Sequence, residues 1–548
     1  MRLQVSGLPG NSRAVHKRLG WRALALWVAA FCVHRAAVLW WGFDGVFYWE
    51  ETYRLVAAEA LLRGWNLAFL DLQADPYAGG SLVFAVLAMP VVALAGASVD
   101  GLKVVALLWS AGGLVAWTVL VDRFWGRRAA HLFAFLFVFA PPLFVAYNLI
   151  GMGSHAEIVT LGGIQLVLGY RVLYGGARST GALVAWAAAA GFATWFTYVG
   201  VLPFLACVAV GLVGGALPPR RWPALAAGFA LGFAPWILSN VVSGGRGVDV
   251  VARTFDAGAA GRPAYHEYLG YLLHTGIRLG LRFPDVVAPL TGVPRRLLLA
   301  SVYLALYAAS WVALVGLCVV AAWRRADGVR ARLRALAGGS PELPLLLLFP
   351  AFVLMLAATD HVFLEHERAP FLPFRLLVPF WPTVMFALAL VAARLRVRWR
   401  VAMVGVLGLI GVAGTVHLLA AGSGARPRIA AAARALGAEA MGHLLVYKHG
   451  ADMALLGERI AALPDELRAP AYQGVGFSLA YHYPDDAPVA ALVDRIREAP
   501  ARFQADLVRG AGMAFGPGME QVAPRPPSAR TRELRAAVSA LDPPKPGQ

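Results

Sequence analysis

Charge is scarce in this chain of 548 residues, and acidic charge scarcest: 15% of residues are charged, with 31 Asp and Glu against 49 Lys and Arg. An ordinary soluble domain is about 25% charged and roughly 45–50% apolar. Here 59% of residues are hydrophobic and the mean hydropathy is +0.63. That excludes a soluble enzyme and a disordered chain, because so much apolar surface needs lipid as its solvent. Cysteine is almost missing too. Cys32, Cys207 and Cys318 all lie in apolar runs, where a thiol behaves as a small hydrophobe, so neither a disulfide scaffold nor a zinc knuckle is expected. No P-loop, GxGxxG or HExxH pattern and no internal repeat occurs.

What charge there is has a position. Residues 425–548 hold 15 Lys/Arg and 13 Asp/Glu, and the apolar remainder holds 34 and 18, so nearly all of the net +18 sits among hydrophobic segments. It gathers in short stretches between them: Arg13, Lys17, Arg18 and Arg22; Arg123, Arg127 and Arg128; Arg171 and Arg178; Arg220 and Arg221; Arg324 to Arg334; Arg394 to Arg400. Basic clusters on one side of alternating apolar segments mark the cytoplasmic loops of a multi-pass membrane protein. The partner of this charge is the lipid bilayer, and no nucleic acid is needed to explain it.

Segments long enough to cross about 30 Å of hydrocarbon as helices fall at 23–41, 81–97, 102–121, 129–149, 157–174, 182–198, 200–217, 223–241, 297–322, 343–358, 375–393 and 401–420. The first ends in Trp40-Trp41, an interfacial anchor and not a signal-peptide cleavage site. If the basic N-terminus and the Arg123–Arg128 stretch both face the cytoplasm, an even number of crossings separates them, yet three segments intervene. Segment 81–97 contains Pro90 and is only about 25 Å long as a helix, so it is read as re-entrant or partial. The expected fold is an all-α polytopic bundle of about eleven transmembrane helices plus that segment. Its regions are a cytoplasmic basic N-terminus (1–22), a membrane domain (23–420), a mostly helical extracytoplasmic C-terminal region (421–523) and a disordered tail (524–548). Helical periodicity marks 428–446 and 488–498, Gly/Pro punctuation marks 474–476 and 484, and Tyr265, His266, Glu267, Tyr268 and Tyr271 suggest an amphipathic helix at the interface. This topology is that of a cell (inner) membrane protein with its N-terminus inside and its C-terminal tail outside.

The pieces left facing outward carry most of the acidic, histidine and tyrosine residues of the membrane part. The first reads Asp44-Gly-Val-Phe-Tyr-Trp-Glu50-Glu51-Thr-Tyr-Arg54, followed by Asp71 and by Asp75-Pro-Tyr-Ala-Gly-Gly80. Carboxylates beside aromatics at a membrane surface suit a general base acting on a sugar hydroxyl; a loop from which Lys and Arg are excluded would also look acidic. The second is Gly151-Met-Gly-Ser-His155-Ala-Glu157. There Glu157 opens a helix, as the macrodipole favours, and Asp44, His155 and Glu157 are the set that would hold a divalent cation, magnesium or manganese. The third is Asp360-His361-Val-Phe-Leu-Glu365-His366-Glu-Arg368, running on to Arg375. Arg368 and Arg375 can clamp a phosphate with His361 and His366 assisting, or they are snorkelling arginines of a polar loop. Arg35, beside His34 inside the first apolar segment, is a functional candidate because an intramembrane Arg is costly.

Taken together, 1–420 resembles the GT-C superfamily of integral-membrane glycosyltransferases, of the glycosyltransferase family 39 kind, near protein mannosyltransferases and lipopolysaccharide-core galacturonosyltransferases. Asp44-Gly-Val-Phe-Tyr48-Trp49 is similar to that branch's Asp-Glu-Ala-Tyr-Tyr-Trp motif, and Asp75-Pro76-Tyr77 to its His-Pro-Pro-Leu segment. Pro235-Trp236-Ile-Leu-Ser-Asn240 and Arg375-Leu-Leu-Val-Pro379-Phe-Trp-Pro382 are similar to two later patterns, in the same order. Gly45 stands where the first motif has an acid. Glu50-Glu51-Thr-Tyr-Arg54 also resembles the Asp-Glu-Thr-Arg-Tyr form of lipid A aminoarabinose transferases, so either Glu50 or Glu51 can restore the missing carboxylate; Asp44 leads and Glu50 follows.

The resemblance implies transfer of a sugar from a polyprenyl-phosphate donor to a glycolipid, polysaccharide or protein acceptor on the extracytoplasmic face, with no required cofactor. It implies an Asp general base in the first outward loop, Asp44, assisted by a second motif at His155 and Glu157. Two other classes compete. A catalytically degenerate scaffold or lipid-carrier binding protein is favoured by Gly45, and a transporter predicts midplane ionisable residues and inverted repeats.

Overall fold

The computed structural model describes residues 18–74, 78–154, 156, 157–177, 179–254, 265–277, 281, 296–358, 373–481, 488–514 and 529–541. The described residues form helices and no strand. In order these are α1 (Trp21–Trp41), α2 (Tyr53–Arg63), α3 (Gly80–Ala95), α4 (Val99–Trp125), α5 (Arg127–Val138), α6 (Pro142–Tyr147), α7 (Glu157–Leu173) and α8 (Thr180–Phe196). Then come α9 (Leu202–Val213), α10 (Trp222–Ser243), α11 (Arg246–Thr254), α12 (Tyr265–Tyr271), α13 (Arg296–Arg325), α14 (Val329–Gly339), α15 (Leu343–Ala357), α16 (Trp381–Arg394) and α17 (Val397–Ala420). The C-terminal region adds α18 (Arg426–His449), α19 (Met453–Ala461), α20 (Asp465–Tyr481), α21 (Val489–Glu498), α22 (Ala501–Met513) and α23 (Ala529–Ser539). Short 3-10 turns at Phe43–Gly45, Trp49–Thr52, Phe69–Leu72 and Pro373–Phe380 lie between them.

By length and apolarity six described helices can cross a membrane, or seven if α14 and α15, bent by 98°, count as one. The sequence windows predict about eleven, because several windows fold as short or broken helices. Window 129–149 shows why. Pro141 and Pro142 remove backbone donors and disfavour helix in the residue before them, so the segment divides into α5 and α6. The carbonyls freed at the end of α5 are taken by Arg35, whose guanidinium donates to Val138 O (2.8 Å) and Phe137 O (3.1 Å). His34 bonds Arg35 on one side and Thr415 on the other, 2.7 and 2.8 Å away. The intramembrane arginine is therefore a helix cap, the use its burial requires.

Two contacts fix how α1 and α4 run. The Leu19 N–H donates to Asp122 at 2.8 Å, placing the start of α1 beside the end of α4. At the other end Arg426 pairs with Asp100 (3.1 Å) and lies 5.1 Å over the Trp40 ring. The helices are antiparallel, so the intervening stretch 42–98 begins and ends at one end of the bundle, here called the cap end. Helix α3, 16 residues long with Pro90 inside it, packs on α2 and α4 and does not carry the chain across. That is the partial segment which the parity of basic clusters demands.

The apolar residues form two main cores. The larger joins α1, most of α4, α5 to α9, α12, α13 and α15 to α17. Tyr268, expected on an interfacial helix, is buried in it. The smaller joins α2, α3 and the start of α4 to helices α18 to α23. Although α18 is long and apolar enough to cross a membrane, it starts at Asp44 and ends at Asp71 and Gln73, all in one cap-end stretch. It therefore lies within the cap. Gly474 and Gly476, predicted to punctuate the chain, fall inside an unbroken α20. A Cβ at Gly474 would stand 1.8 Å from Glu439 O, and one at Gly442 1.9 Å from Ala471 O, so these glycines serve backbone contact between α18 and α20. The tail expected to be disordered contains α23, with Leu534 and Val538, four residues apart, buried in the same core.

Candidate active site at the cap end of the bundle

The two acidic motifs meet through charged side chains that hold backbone. In the turn Trp49–Thr52, the Tyr48 N–H donates to Glu51 Oε1 at 3.2 Å. Glu51 also pairs with Lys103 of α4 and accepts from the Gly151 N–H at 3.0 Å. Lys103 donates in turn to Val46 O at 2.6 Å. Arg54 donates to Glu50 O and to Met152 O, linking the first loop to the second motif. Glu157 accepts from the Gly153 N–H (2.9 Å) and the Ser154 N–H (3.0 Å), and Arg54 lies within its electrostatic reach. Each residue from Gly151 to Ser154 is thus held by a charged group, which gives stronger bonds than neutral partners would.

These four charges balance, and all are buried: Glu51 0%, Lys103 1%, Glu157 2% and Arg54 3% exposed. Buried charges persist only when paired and hydrogen-bonded. Glycines bring the loops close enough for this. Gly153 has φ +63°, and a Cβ on Gly80 would stand 2.0 Å from Gly153 O, so the Gly79-Gly80 pair of the first loop seats the Gly151–Ser154 motif. The Gly79 N–H also donates to Trp195 O at 2.9 Å.

Glu50 differs from Glu51. It is half-buried, its carboxylate accepts from Tyr48 Oη at 2.9 Å, and it has no ion pair among the described residues. Asp44 differs from both. It is exposed, and both its oxygens accept from the Ala425 N–H at 3.2 Å, just before α18. That position satisfies an otherwise orphaned helix donor. A cavity of about 260 Å³ opens beside it, lined by Gly45, Pro142, His417 and Leu418.

The cation set expected of Asp44, His155 and Glu157 does not fit the described members. Asp44 is turned to Ala425 and Glu157 to Gly153 and Ser154, and no group of three potential ligands gathers among the described residues. His155, Asp75, His361, His366 and Arg368 lie outside the described residues. Arg375 is carried on the turn Pro373–Phe380, which packs against α6 and α7 next to the second motif, but its side chain too lies outside the described residues. The Trp236 and Asn240 pattern is structural: Trp236 donates to Tyr198 Oη (3.1 Å), and Asn240 accepts from the Val248 N–H (3.1 Å) in α11.

Sequence reading missed two participants. Lys103 sits inside a predicted span, and a lysine there is itself a signal that a buried acid faces it. The second is the set of partners around Asp71, an acid the sequence already offered, which is 4% exposed, hydrogen-bonded to His449 at 2.8 Å and ion-paired with Arg459 at 3.1 Å. Burial pushes its carboxyl up, but the His449 hydrogen bond and the charges of Lys448, His449 and Arg459 outweigh it and hold Asp71 below its ordinary value.

No known family model matches the chain, and no curated protein matches it in sequence. Solved structures similar to it include two of one protein. ArnT from Cupriavidus metallidurans bound to undecaprenyl phosphate gives a TM-score of 0.44 at 17% identity, covering 95% of this chain and 78% of that one. The same protein in the apo state gives 0.42 at 16%, covering 95% and 76%.

Proposed function

We propose that the protein transfers a sugar from a polyprenyl-phosphate donor to an acceptor hydroxyl, at a cap that faces the extracytoplasmic side of the cell membrane. The observation that carries this reading is Glu50. It is a half-buried carboxylate without an ion pair among the described residues, steadied by Tyr48 and set on a turn that the Glu51, Lys103, Arg54 and Glu157 network holds in place. A base so placed takes the acceptor proton as the acceptor oxygen bonds to the anomeric carbon. The bond from that carbon to the phosphate oxygen breaks, and the polyprenyl phosphate leaves with the electron pair, inverting the centre. Of the two acids that the motifs allow, Glu50 takes this role and Asp44 anchors α18. Arg368 and Arg375, with His361 and His366, are proposed to receive the departing phosphate, and His155 to face the donor. The reading needs no cofactor. Basic clusters at the opposite end support its facing the cytoplasm, and the Cupriavidus ArnT structure carries a lipid of the proposed donor class.

The test is sugar transfer by full-length protein in nanodiscs supplied with undecaprenyl-phosphate-linked sugars. Glu50→Gln is expected to lose about 10²–10⁴-fold in rate, while Asp44→Asn stays near wild type. Undiminished transfer by correctly inserted Glu50→Gln overturns the assignment. Loss in Asp44→Asn alone returns the role to Asp44, and no transfer by wild type with the carrier still bound makes the chain a lipid-carrier scaffold.

A further inference from the structure

Next to Glu50, the ring of Trp49 faces the two central helices of the C-terminal region. Its centroid lies 5.5 Å from His443 of α18 and 5.8 Å from Phe477 of α20. His443 and Phe477 are 5.5 Å apart, and Phe477 stacks on Tyr481 at 5.4 Å with 12° between the planes. Glu439 precedes His443 by four residues, and Tyr481 follows Phe477 by four, so each helix presents two of these side chains on one face. The group continues the site, because Glu50 lies within electrostatic reach of His443.

The wall is not sealed as a core would be. Trp117 and Trp186, which pack the bundle, are 2% and 0% exposed, whereas Trp49, Glu439, Phe477 and Tyr481 are all only half-buried. Glu439 has no hydrogen bond or ion pair among the described residues. Burial raises its carboxyl to about 7. Aromatic faces with a few convergent polar groups are the composition of a small-molecule site. A pyranose ring matches it in chemistry, with C–H faces for the rings and hydroxyls for a carboxylate and an imidazole.

We infer that Trp49, Phe477 and Tyr481, with Glu439 and His443, form the acceptor subsite, binding a sugar ring of the acceptor so that its hydroxyl meets Glu50. This rests on the glycosyl-transfer reading above. The acceptor is favoured over the donor sugar by position. Trp49 packs against the cap core and the other members stand on the cap helices α18 and α20, whereas a lipid-borne donor comes from the bundle side, to which the Pro373–Phe380 turn is packed.

Saturation-transfer NMR on the full-length protein in nanodiscs tests it, with methyl glycosides of glucose, galactose, mannose, N-acetylglucosamine and galacturonic acid as probes. At least one glycoside is expected to bind wild type, and to bind at least tenfold more weakly to Trp49→Leu and Phe477→Leu, which keep apolar bulk and remove the ring. Glu439→Gln, which preserves shape, is expected to weaken it as well and guards against misfolded leucine variants. Binding by none of the five, or binding unchanged in all three variants, overturns the inference. Displacement of the glycoside by a short-chain prenyl-phosphate sugar also overturns it, since the wall would then be a donor subsite. Glycoside binding that holds while Glu50→Gln transfers sugar at the wild-type rate would leave the subsite standing and remove the catalytic role of Glu50.

Discussion

In the bundle, helices meet through rings: Trp117, Trp186 and Trp381 are completely or almost completely buried, and Trp117 stacks on Phe133 while Trp125 meets Phe386 edge-on. Glycines whose missing side chains let backbone touch backbone serve both regions: α18, α20 and α22 meet that way in the cap, and α8 meets α10 that way in the bundle, where a Cβ on Gly191 or Gly232 would stand 2.2 or 2.0 Å from a carbonyl oxygen. Polar groups separate the regions better. The bundle has Arg35 on neutral carbonyls and the pair Glu342 with Arg394, whereas Glu51, Glu59 and Asp71 in the cap each face a cation across more than fifty residues of sequence or more than three hundred. Paired charges allow few arrangements, and they gather near Glu50, where a misplacement of about 1 Å can cost about 10²-fold in rate.

The largest expected effect separates the two kinds of buried cation. Lys103→Met leaves Glu51 buried without its partner, and breaking such a pair costs about 3–5 kcal/mol. Arg35→Met leaves two carbonyls short of a donor, about 1–3 kcal/mol each, offset by removing a buried guanidinium that has no acidic partner among the described residues. Thermal unfolding in nanodiscs should rank them in that order. Lys103→Met combined with Glu51→Leu should recover much of the loss, because no bare charge then remains. An Arg35→Met loss as large as that of Lys103→Met would erase the distinction between the regions.

Next comes the glycine contact. Gly474→Ala drives a Cβ into Glu439 O, and overpacking of this kind costs about 1–3 kcal/mol. Gly405 in α17 has nothing within 4 Å of its missing Cβ, so Gly405→Ala should be neutral or slightly stabilising, since alanine is the better helix former. The same scan of melting temperatures checks both. Equal effects would mean that the contact between α18 and α20 is as accommodating as an open helix face.

Much of this was legible in sequence where the signal is local. Basic clusters and their parity imply that 81–97 does not cross, and Arg426 beside Trp40 and Asp100 bears this out. The periodicity at 428–446 lies within α18. The acids of the candidate site were named with Asp44 leading and Glu50 following, although both follow α1 within nine residues and either can be drawn onto a motif. Their surroundings differ in three dimensions: Asp44 accepts from a helix start 381 residues away, whereas Glu50 accepts from its near neighbour Tyr48. Pairings such as Arg434 with Glu59, 375 residues apart, leave no trace in a local pattern. The glycines misled because one residue type serves both turns and close helix contacts, and only the neighbour across the contact tells which.

The smallest effect is a pair of opposed pH dependences within the cap. Asp71 has a folded value below its ordinary 3.8, so ionisation favours the folded state. Its contribution is present above 3.8 and is lost as pH falls through the lower folded value. Glu439 is raised from 4.5 to about 7 by burial, so ionisation favours unfolding, and stability present below 4.5 is lost as pH rises through about 7. Asp71→Asn should therefore lower the melting temperature at pH 7 and make less difference the further pH falls below 3.8. Glu439→Gln should raise it at pH 8 and leave it unchanged at pH 4. A melting curve that changes with pH between 4.5 and 7 should lose part of that change in Glu439→Gln, and the part lost is the contribution of Glu439. A curve that keeps its slope in Glu439→Gln would mean that the carboxylate already has a cation beside it, and would weaken the contrast between a paired Asp71 and an unpaired Glu439 facing the site.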